Sequence, residues 1–457
     1  MDQHILRPSA MTGQQFETAT PLELTAARRD ITTSPTLAMN EAVARRRALG
    51  KETIHLGFGE AMFPLHPLLR QALNEAIEST GYAPVAGLLK LRQAIAGYIE
   101  RMRGVDCSAE QVIVGPGSKP LIYALLNILD GDVLVPRPSW VSYDPQARLA
   151  GRQVFTVATD PADHHRLTSE ALTEAISAAR AAGANPRILI VNSPSNPTGA
   201  MFAGEDLAAL GAWARQQGIT IISDEIYAEL EHGWCLHISP ARFYPEGTII
   251  TGGLSKAFSA GGWRLGYAIL PGGTRGEQLG TALRALASEI WSAAATPIEE
   301  AAIVAFTPNA DLEQYVRRCA HLHGYTTARL HATLTSLGIL CAKPAGAFYL
   351  YPDFAPWRAI LARQGITTSV QLAEYLLDHW DIATLPGVAF GEEPEALRLR
   401  LATSMLYGSP REQDHWHLLN LADDIDELNS ITLDLPELAK AQERWREVIE
   451  HWNTLAK

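Results

Sequence analysis

A series of short apolar runs, alternating with helix-like segments, constrains the fold more than any other feature of this sequence. Runs of this length suit strands that are covered on both faces. The segments between them, such as Glu205–Gln217 closed by Gly218, suit crossover helices. The pattern predicts an α/β fold, with a mostly parallel seven-stranded sheet between helices. The predicted strands are residues 111–114, 133–135, 154–157, 188–191, 219–222, 248–251 and 267–270.

The segments on either side of this region predict a second, smaller α+β domain. A helix-like stretch covers residues 36–49, a long helical region begins at residue 311, and strand-like pieces follow near residues 347–351 and 397–402. We expect an N-terminal arm over residues 1–33 and a small domain over residues 34–66 and 311–434. The large domain is expected over residues 67–310, and a charged helical tail over residues 435–457.

Composition excludes several classes of function for a chain of 457 residues. The net charge of −12 argues against a nucleic-acid partner, because binding a phosphate backbone needs clustered Lys and Arg. The four cysteines are far apart and none forms a C-x-x-C pair, so neither a metal site nor a disulfide framework is expected. No apolar segment has the length of a signal peptide or a membrane span, which predicts a cytoplasmic protein.

A candidate anion site follows the first strand of the predicted sheet. Gly115-Pro116-Gly117-Ser118-Lys119-Pro120 precedes the apolar helix-like segment 121–129. Pro120 fits the first position of a helix, so the preceding amides of Ser118 and Lys119 would point outward at the positive end of the helix dipole. Such amides can hold a phosphate, although an ordinary Gly/Pro turn into a helix has the same pattern.

Three more candidate side chains follow predicted strands, where ligands gather in open α/β sheets. Trp140 could stack on a cofactor ring, and it could equally be a packed core residue. Asp224 follows the run 219–222, where a carboxylate would be partly buried and would need a cation. Tyr227 comes three residues later. Asp-Glu pairs are common at strand ends, so Asp224 alone does not identify a site.

Lys256 lies in a Gly- and Ser-rich turn after the strand 248–251, and Arg264 follows eight residues later. Most lysines are solvated surface residues, but one in a partly desolvated site can lose its proton and become a nucleophile. A planar guanidinium can bind a phosphate with two hydrogen bonds. This set of residues suits pyridoxal 5′-phosphate (PLP). It provides a lysine for a Schiff base, a carboxylate for a pyridinium nitrogen, and amides and a guanidinium for a phosphate.

Over about residues 34–425, the sequence resembles fold-type I PLP enzymes of the class I/II aminotransferase family. The motifs that carry the resemblance occur in the family's order and spacing. They are Gly-Tyr-Ala-Pro-Val-Ala-Gly-Leu (81–88), Ser-Pro-Ser-Asn-Pro-Thr-Gly (193–199), Asp-Glu-Ile-Tyr (224–227), Ser-Lys-Ala-Phe-Ser-x-x-Gly-Trp-Arg-Leu-Gly-Tyr (255–267), Gly-Ala-Phe-Tyr (346–349) and Leu-Pro-Gly (385–387).

The resemblance implies a role for each matching residue. Lys256 would form the Schiff base and move the proton, with Ser255 beside it, and Asp224 would pair with the pyridine nitrogen. The phenolic oxygen would be bound by Tyr227 and Asn196, and the ring would be covered by Trp140. The phosphate would be held by Ser118, Lys119, Arg264 and, from a second subunit of a homodimer, Tyr82. The substrate carboxylate would be bound by Gly59 and Arg398, where Arg-Leu-x-Leu-Ala matches the family pattern Arg-x-Ser-x-Ala.

Three departures from the family pattern bear on specificity. Gly253 replaces a frequent Ser, Ala61-Met62 replaces Pro-Asp, and Arg400 replaces the Ser of the carboxylate motif. We predict an aminotransferase that acts on a free α-amino acid and a keto acid. The alternative is a PLP-dependent lyase or cyclase on the same fold, for example one acting on S-adenosylmethionine or a modified amino acid. A catalytically inactive binding module is disfavoured, because every cofactor-contacting residue type except Gly253 is present.

Overall fold

The computed structural model describes residues 31–407 and 412–455. The described chain begins with helix α1 (Pro35–Ala48), short strand β1 (Ile54–His55) and helices α2 (Pro67–Ala76) and α3 (Leu89–Arg103). Prolines occupy the first positions of α1 and α2, where a missing N–H costs nothing. The predicted N-terminal arm lies almost entirely outside the described residues.

A seven-stranded sheet forms the centre of the chain, with strand order β2-β8-β7-β6-β5-β3-β4. Only β8 runs antiparallel to its neighbours β2 and β7. The other pairings are parallel, so the predicted α/β class is confirmed. The strands are β2 (Val112–Gly115), β3 (Asp132–Arg137), β4 (Val154–Ala158), β5 (Pro186–Asn192), β6 (Thr220–Asp224), β7 (Thr248–Gly253) and β8 (Gly266–Ile269).

Helices cover both faces of this sheet, which is why its strands are apolar throughout. In β5, Ile188 and Ile190 pack on one face and Leu189 and Val191 on the other. The helices of this region are α4 (Ser118–Ile128), α5 (Tyr143–Leu149), α6 (Ser169–Ala181), α7 (Gly204–Gln217), α8 (Gly273–Ile290), α9 (Thr296–Phe306) and α10 (Ala310–Ser336). Residues of α4, α5 and α8 pack with Ile188 and Ile190, and residues of α6 and α7 pack with Leu189 and Val191.

The remaining strands form two small sheets that bring distant segments together. Strand β1 pairs in parallel with β10, and β11, β12 and β9 form a three-stranded antiparallel sheet. The predicted domain boundaries, which join 34–66 to 311–434, stay a prediction. The elements are β9 (Tyr349–Leu350), α11 (Arg358–Arg363), α12 (Ser369–Trp380), β10 (Ile382–Ala383), β11 (Leu385–Pro386), β12 (Leu399–Ala402), α13 (Glu412–Asn420), α14 (Ile425–Ser430) and α15 (Pro436–Leu455).

The C-terminal segment is helical, and it packs into the core. Trp445 and Trp452 of α15 are fully buried, and the Trp445 ring stacks on Phe354 with centroids 5.4 Å apart. Burying such aromatic side chains stabilises the fold by several kcal/mol, at roughly 25 cal/mol per Å² of apolar surface. Within the described ranges, no helix combines the length and the apolar character needed to cross a membrane.

Candidate active site

The carboxyl edge of the large sheet opens into a cavity of about 510 Å³. Parallel strands end together at this edge, so the residues that follow β2, β3, β5, β6 and β7 meet there although they are far apart in sequence. The predicted site residues that line the cavity are Gly59, Ser118, Lys119, Trp140, Asn196, Asp224, Tyr227, Ser255, Lys256 and Arg264.

Lys256 is partly buried in the cavity wall. Its Nζ donates a 2.8 Å hydrogen bond to the carbonyl oxygen of Gly59 and lies 5.7 Å from the centroids of the Tyr227 and Phe348 rings. Burial and the nearby cation Arg400 lower the pKa of the amine to about 8, although the carboxylate of Glu60 opposes part of this shift. A substantial fraction of the amine is therefore neutral near physiological pH, as a nucleophile or general base requires.

Asp224 ends strand β6 and is fully buried. Its Oδ2 accepts a 2.7 Å hydrogen bond from the Tyr143 hydroxyl, whereas Oδ1 has no hydrogen-bond partner among the described residues. Burial raises the pKa of the carboxyl to about 6, and the hydrogen bond from Tyr143 opposes that rise. A buried carboxylate with one free oxygen is costly unless a cation pairs with it. The site thus offers a partner to a protonated ring nitrogen.

Amide and phenol groups surround this carboxylate. Asn192 Nδ2 donates to the main-chain oxygen of Asp224 at 2.8 Å, and Asn192 Oδ1 accepts from the amide of Asn196 at 2.7 Å. The hydroxyls of Tyr227 and Tyr349 lie 2.7 Å apart. Asn196 Oδ1 is buried and has no partner in the part of the chain that the structure describes. Another free polar group therefore lines the cavity.

The opposite end of the cavity is cationic. Ser118 begins α4, Lys119 Nζ lies 5.0 Å from the Trp140 ring centroid, and the pKa of Lys119 is lowered by burial and by Arg264. Arg264 donates to the carbonyls of Gly261 at 2.9 Å and Pro116 at 3.3 Å. Two cations beside a helix N-terminus form an anion site.

Glycines allow the main-chain segments around this anion site to pack closely against one another. Gly117 has φ 107°, and a Cβ at Gly266 would lie 2.6 Å from the carbonyl carbon of Gly117. A Cβ at Gly253 would lie 2.6 Å from the carbonyl oxygen of Leu265. A serine at residue 253 would therefore require the main chain at residues 265–266 to shift.

The structure places Arg400, rather than Arg398, in the cavity wall. Arg400 is fully buried, its Nη2 donates to the Gly57 carbonyl at 2.6 Å, and its Cζ lies 4.9 Å from the Tyr349 ring centroid. It makes no ion pair with a described residue, and burial lowers its pKa. Arg398 instead donates to Asp353 Oδ2 and Glu392 Oε1, both at 2.9 Å.

The predicted role of Arg398 in carboxylate binding is therefore replaced by a candidate role for Arg400. In a continuous strand, residues 398 and 400 would share a face, because side chains repeat with period two. Strand β12 begins at Leu399, and residue 398 lies before it in an isolated bridge with Asp353. Two carboxylates hold Arg398 outside the cavity.

Tyr82 also lies outside the cavity of its own chain. It is 97% exposed. A role from a neighbouring subunit requires this exposure, so the assignment of Tyr82 stays a prediction.

Sequence reasoning missed the residues that support the charged groups. Tyr143 follows Trp140 by three residues, and Tyr349 ends the Gly-Ala-Phe-Tyr motif, yet neither position reveals which group its hydroxyl binds. Asn192, Phe58 and Glu60 also line the cavity.

Comparisons with known proteins agree with this geometry. The family model described as "Aminotransferase class I and II" matches residues 51–405. The aspartate aminotransferase of Geobacillus stearothermophilus is 36% identical over 389 residues, covering 82% of this chain and 93% of the relative. The asparagine–oxo-acid transaminase of Streptococcus mutans is 30% identical, with the same shares covered.

A solved structure shows the same architecture. The aspartate aminotransferase of Thermus thermophilus with maleate superposes with a TM-score of 0.76 at 30% identity, covering 89% of this chain and all of that one. The family match spans well over half of the sequence, and it includes the segments that bring Asp224 and Lys256 to the carboxyl edge of the sheet. The chain belongs to the class I and II aminotransferase family.

Proposed function

We propose that the protein binds PLP on Lys256 and transfers the amino group of a free α-amino acid to a keto acid. The juxtaposition of Lys256 and Asp224 in one buried cavity carries this proposal. The amine is partly neutral, and the carboxylate has a free oxygen. When bound, PLP supplies an electron sink for the electrons released at the substrate's Cα. The chain's own residues position the substrate and move the proton.

The donor set fits the cofactor at each end. Asp224 Oδ1 is free for the ring nitrogen, and Asn196 and Tyr227 supply polar groups for the phenolic oxygen. Ser118, Lys119 and Arg264 form the cationic end, which suits a phosphate. Trp140 lies beside Lys119 and offers a flat face to the ring.

Arg400 is the candidate for the substrate's α-carboxylate. A fully buried guanidinium without a carboxylate partner among the described residues is costly, and an anionic ligand would relieve that cost. Its Nε is buried and also lacks a described partner. Gly59 lies beside Tyr349, and any side chain at residue 59 would clash with that tyrosine. The absence of a side chain at residue 59 therefore lets the Tyr349 ring pack against the main chain.

Lys256 is the candidate for moving the proton. The Gly59 carbonyl accepts one of its hydrogens and fixes the direction of the amine. A neutral amine in a desolvated cavity can take a proton from the substrate's Cα and return it at another atom of the reacting system. Burial by Tyr227, Phe348 and Tyr349 limits the access of water to this step.

The names of the relatives make aspartate and asparagine the first donors to test. The experiment is to add each amino acid alone to the PLP-loaded protein and follow the cofactor's absorption and the released product. We expect conversion of PLP to its pyridoxamine form with one equivalent of keto acid per site, and no conversion in Lys256→Ala.

Turnover that eliminates a leaving group or closes a ring, with the cofactor returned as PLP, would instead support the lyase or cyclase. Absence of any reaction across a full panel of amino acids would contradict the proposal.

A further inference from the structure

A second cavity, of about 740 Å³, lies between α15 and the segment around β1. We call it the C-terminal cavity. Its inner wall includes Thr53, His55 and Ser404, and none of these residues lines the candidate active site. Its volume lies within the range of about 300–1,000 Å³ that is typical of small-molecule sites.

Three buried polar atoms of the inner wall have no hydrogen-bond partner among the described residues. They are Thr53 Oγ1, His55 Nδ1 and Ser404 Oγ, in side chains whose residues are 9%, 4% and 0% exposed. His55 Nε2 lies 3.1 Å from Asn40 Oδ1, an acceptor, so Nε2 carries the proton and Nδ1 is a free acceptor. Unpaired buried groups each cost about 1–3 kcal/mol, so this wall favours a polar ligand.

The rim carries charges of both signs. Lys440 is paired with Glu437 at 3.0 Å, and Arg444 is paired with Glu447 at 2.9 Å. Three further charged residues of the rim make no ion pair with a described residue. They are the cations Arg47 and Lys51 and the carboxylate Glu52. A zwitterionic ligand carries one charge of each sign, so it could pair with these rim residues while its polar atoms contact the inner wall.

The inner wall continues directly into the candidate active site. The His55 ring stacks on Phe58 with centroids 6.3 Å apart, and Phe58 lines the active-site cavity. Between them, the Gly57 carbonyl accepts the 2.6 Å hydrogen bond of Arg400. A ligand that contacts His55 therefore touches the same short segment that orients Arg400.

We propose that the C-terminal cavity is an effector site for a free α-amino acid. Arg47, Lys51 and the Ser404 hydroxyl receive its carboxylate, and Glu52 with His55 Nδ1 receives its ammonium group. Occupancy acts through the segment 55–58 on the KM of the amino donor. Binding itself does not rest on the proposed function, whereas the effect on KM does.

The test titrates borohydride-reduced holoenzyme, whose catalytic lysine can no longer react, with the twenty standard amino acids by calorimetry. We expect saturable binding of at least one of them, weakened about tenfold or more by Arg47→Ala. Arg45→Ala is the matched control, because Arg45 lies on the same helix, is exposed and does not line the cavity. It should leave binding unchanged.

Ser404→Ala separates binding from folding. The Ser404 hydroxyl is unpartnered, so its removal should leave the thermal midpoint unchanged or raise it, while weakening amino-acid binding about threefold to tenfold. The same amino acid should change the donor's KM in the unreduced enzyme but not in Arg47→Ala. No saturable binding, or binding that survives Arg47→Ala, overturns the site; binding without a change in KM overturns the effector role.

Discussion

The Tyr143 hydroxyl donates a 2.7 Å hydrogen bond to Asp224 Oδ2, whereas Oδ1 of the same carboxylate has no hydrogen-bond partner among the described residues. Both side chains are buried, and Tyr143 packs edge-on against Trp140 with centroids 5.2 Å apart. One tyrosine thereby orients the carboxylate and contacts the ring proposed to cover the cofactor. This arrangement holds Asp224 in place before any ligand binds.

Tyr143→Phe should lower kcat about 10- to 100-fold, because a hydrogen bond to a charged group contributes about 1.5–3 kcal/mol. The ring stays, so packing against Trp140 is kept. Loss of the donor raises the pKa of Asp224, and the acid limb of the kcat/KM profile should move to higher pH. An unchanged pH profile would show that the hydrogen bond does not tune Asp224.

Arg400→Lys should raise the KM for the amino donor by about tenfold or more, because a lysine cannot bind a carboxylate with two parallel hydrogen bonds. Arg398→Lys is the matched change two residues earlier, and it should alter KM by less than about threefold. Steady-state kinetics with one donor compare the two. The opposite ranking would restore the prediction from the sequence motif, in which Arg398 binds the carboxylate.

Attachment of added PLP to the apoenzyme should follow the deprotonation of Lys256. Because the pKa of Lys256 is lowered to about 8, the rate should rise about tenfold between about pH 7 and pH 9 and then level off. Absorption of the attached cofactor gives the rate, and Lys256→Ala provides the blank. A rate that still climbs steeply above about pH 9.5 would indicate an ordinary, solvated lysine.

Asp224→Asn should stabilise the apoenzyme at neutral pH. Since burial raises the pKa of Asp224 to about 6, the folded state favours the protonated carboxyl. The protonated carboxyl therefore contributes to the stability of the folded apoenzyme. This stabilisation is complete below about pH 4 and is lost as the pH rises through about 6. The variant's thermal midpoint should exceed the wild type's by about 2–4 °C at pH 7.5 and match it near pH 4.

With PLP bound, the ranking of these two proteins should reverse, because the carboxylate then has its cationic partner. Equal midpoints of the two apoenzymes at every pH would contradict the shifted pKa of Asp224.

Mixed dimers test whether Tyr82 reaches the active site of a second subunit. Tyr82→Ala and Lys256→Ala should each be nearly inactive alone. If each site combines Lys256 of one subunit with Tyr82 of its partner, random exchange of subunits should restore about one quarter of wild-type activity. The readout is keto-acid production after the two variants are mixed under conditions that exchange subunits. No recovery, with exchange verified by mass, would exclude the shared site.

The sequence alone predicted the sheet and the edge at which the candidate catalytic residues lie. Continuous apolar runs such as Ile188–Val191 favour strands covered on both faces, and Trp140, Asp224 and Lys256 each follow such a run. Parallel strands end at one edge, so order along the chain was enough to bring Trp140, Asp224 and Lys256 together. The composition of the motifs then indicated the family.

Only the tertiary structure decided which arginine faces the cavity and which tyrosine supports Asp224. Arg398 and Arg400 are two residues apart, and their separation depends on where β12 begins and on the carboxylates of Asp353 and Glu392. The C-terminal cavity likewise forms between α15 and β1, which are almost four hundred residues apart along the chain. Contacts of this kind arise from packing between distant segments, and no local pattern of residues encodes them.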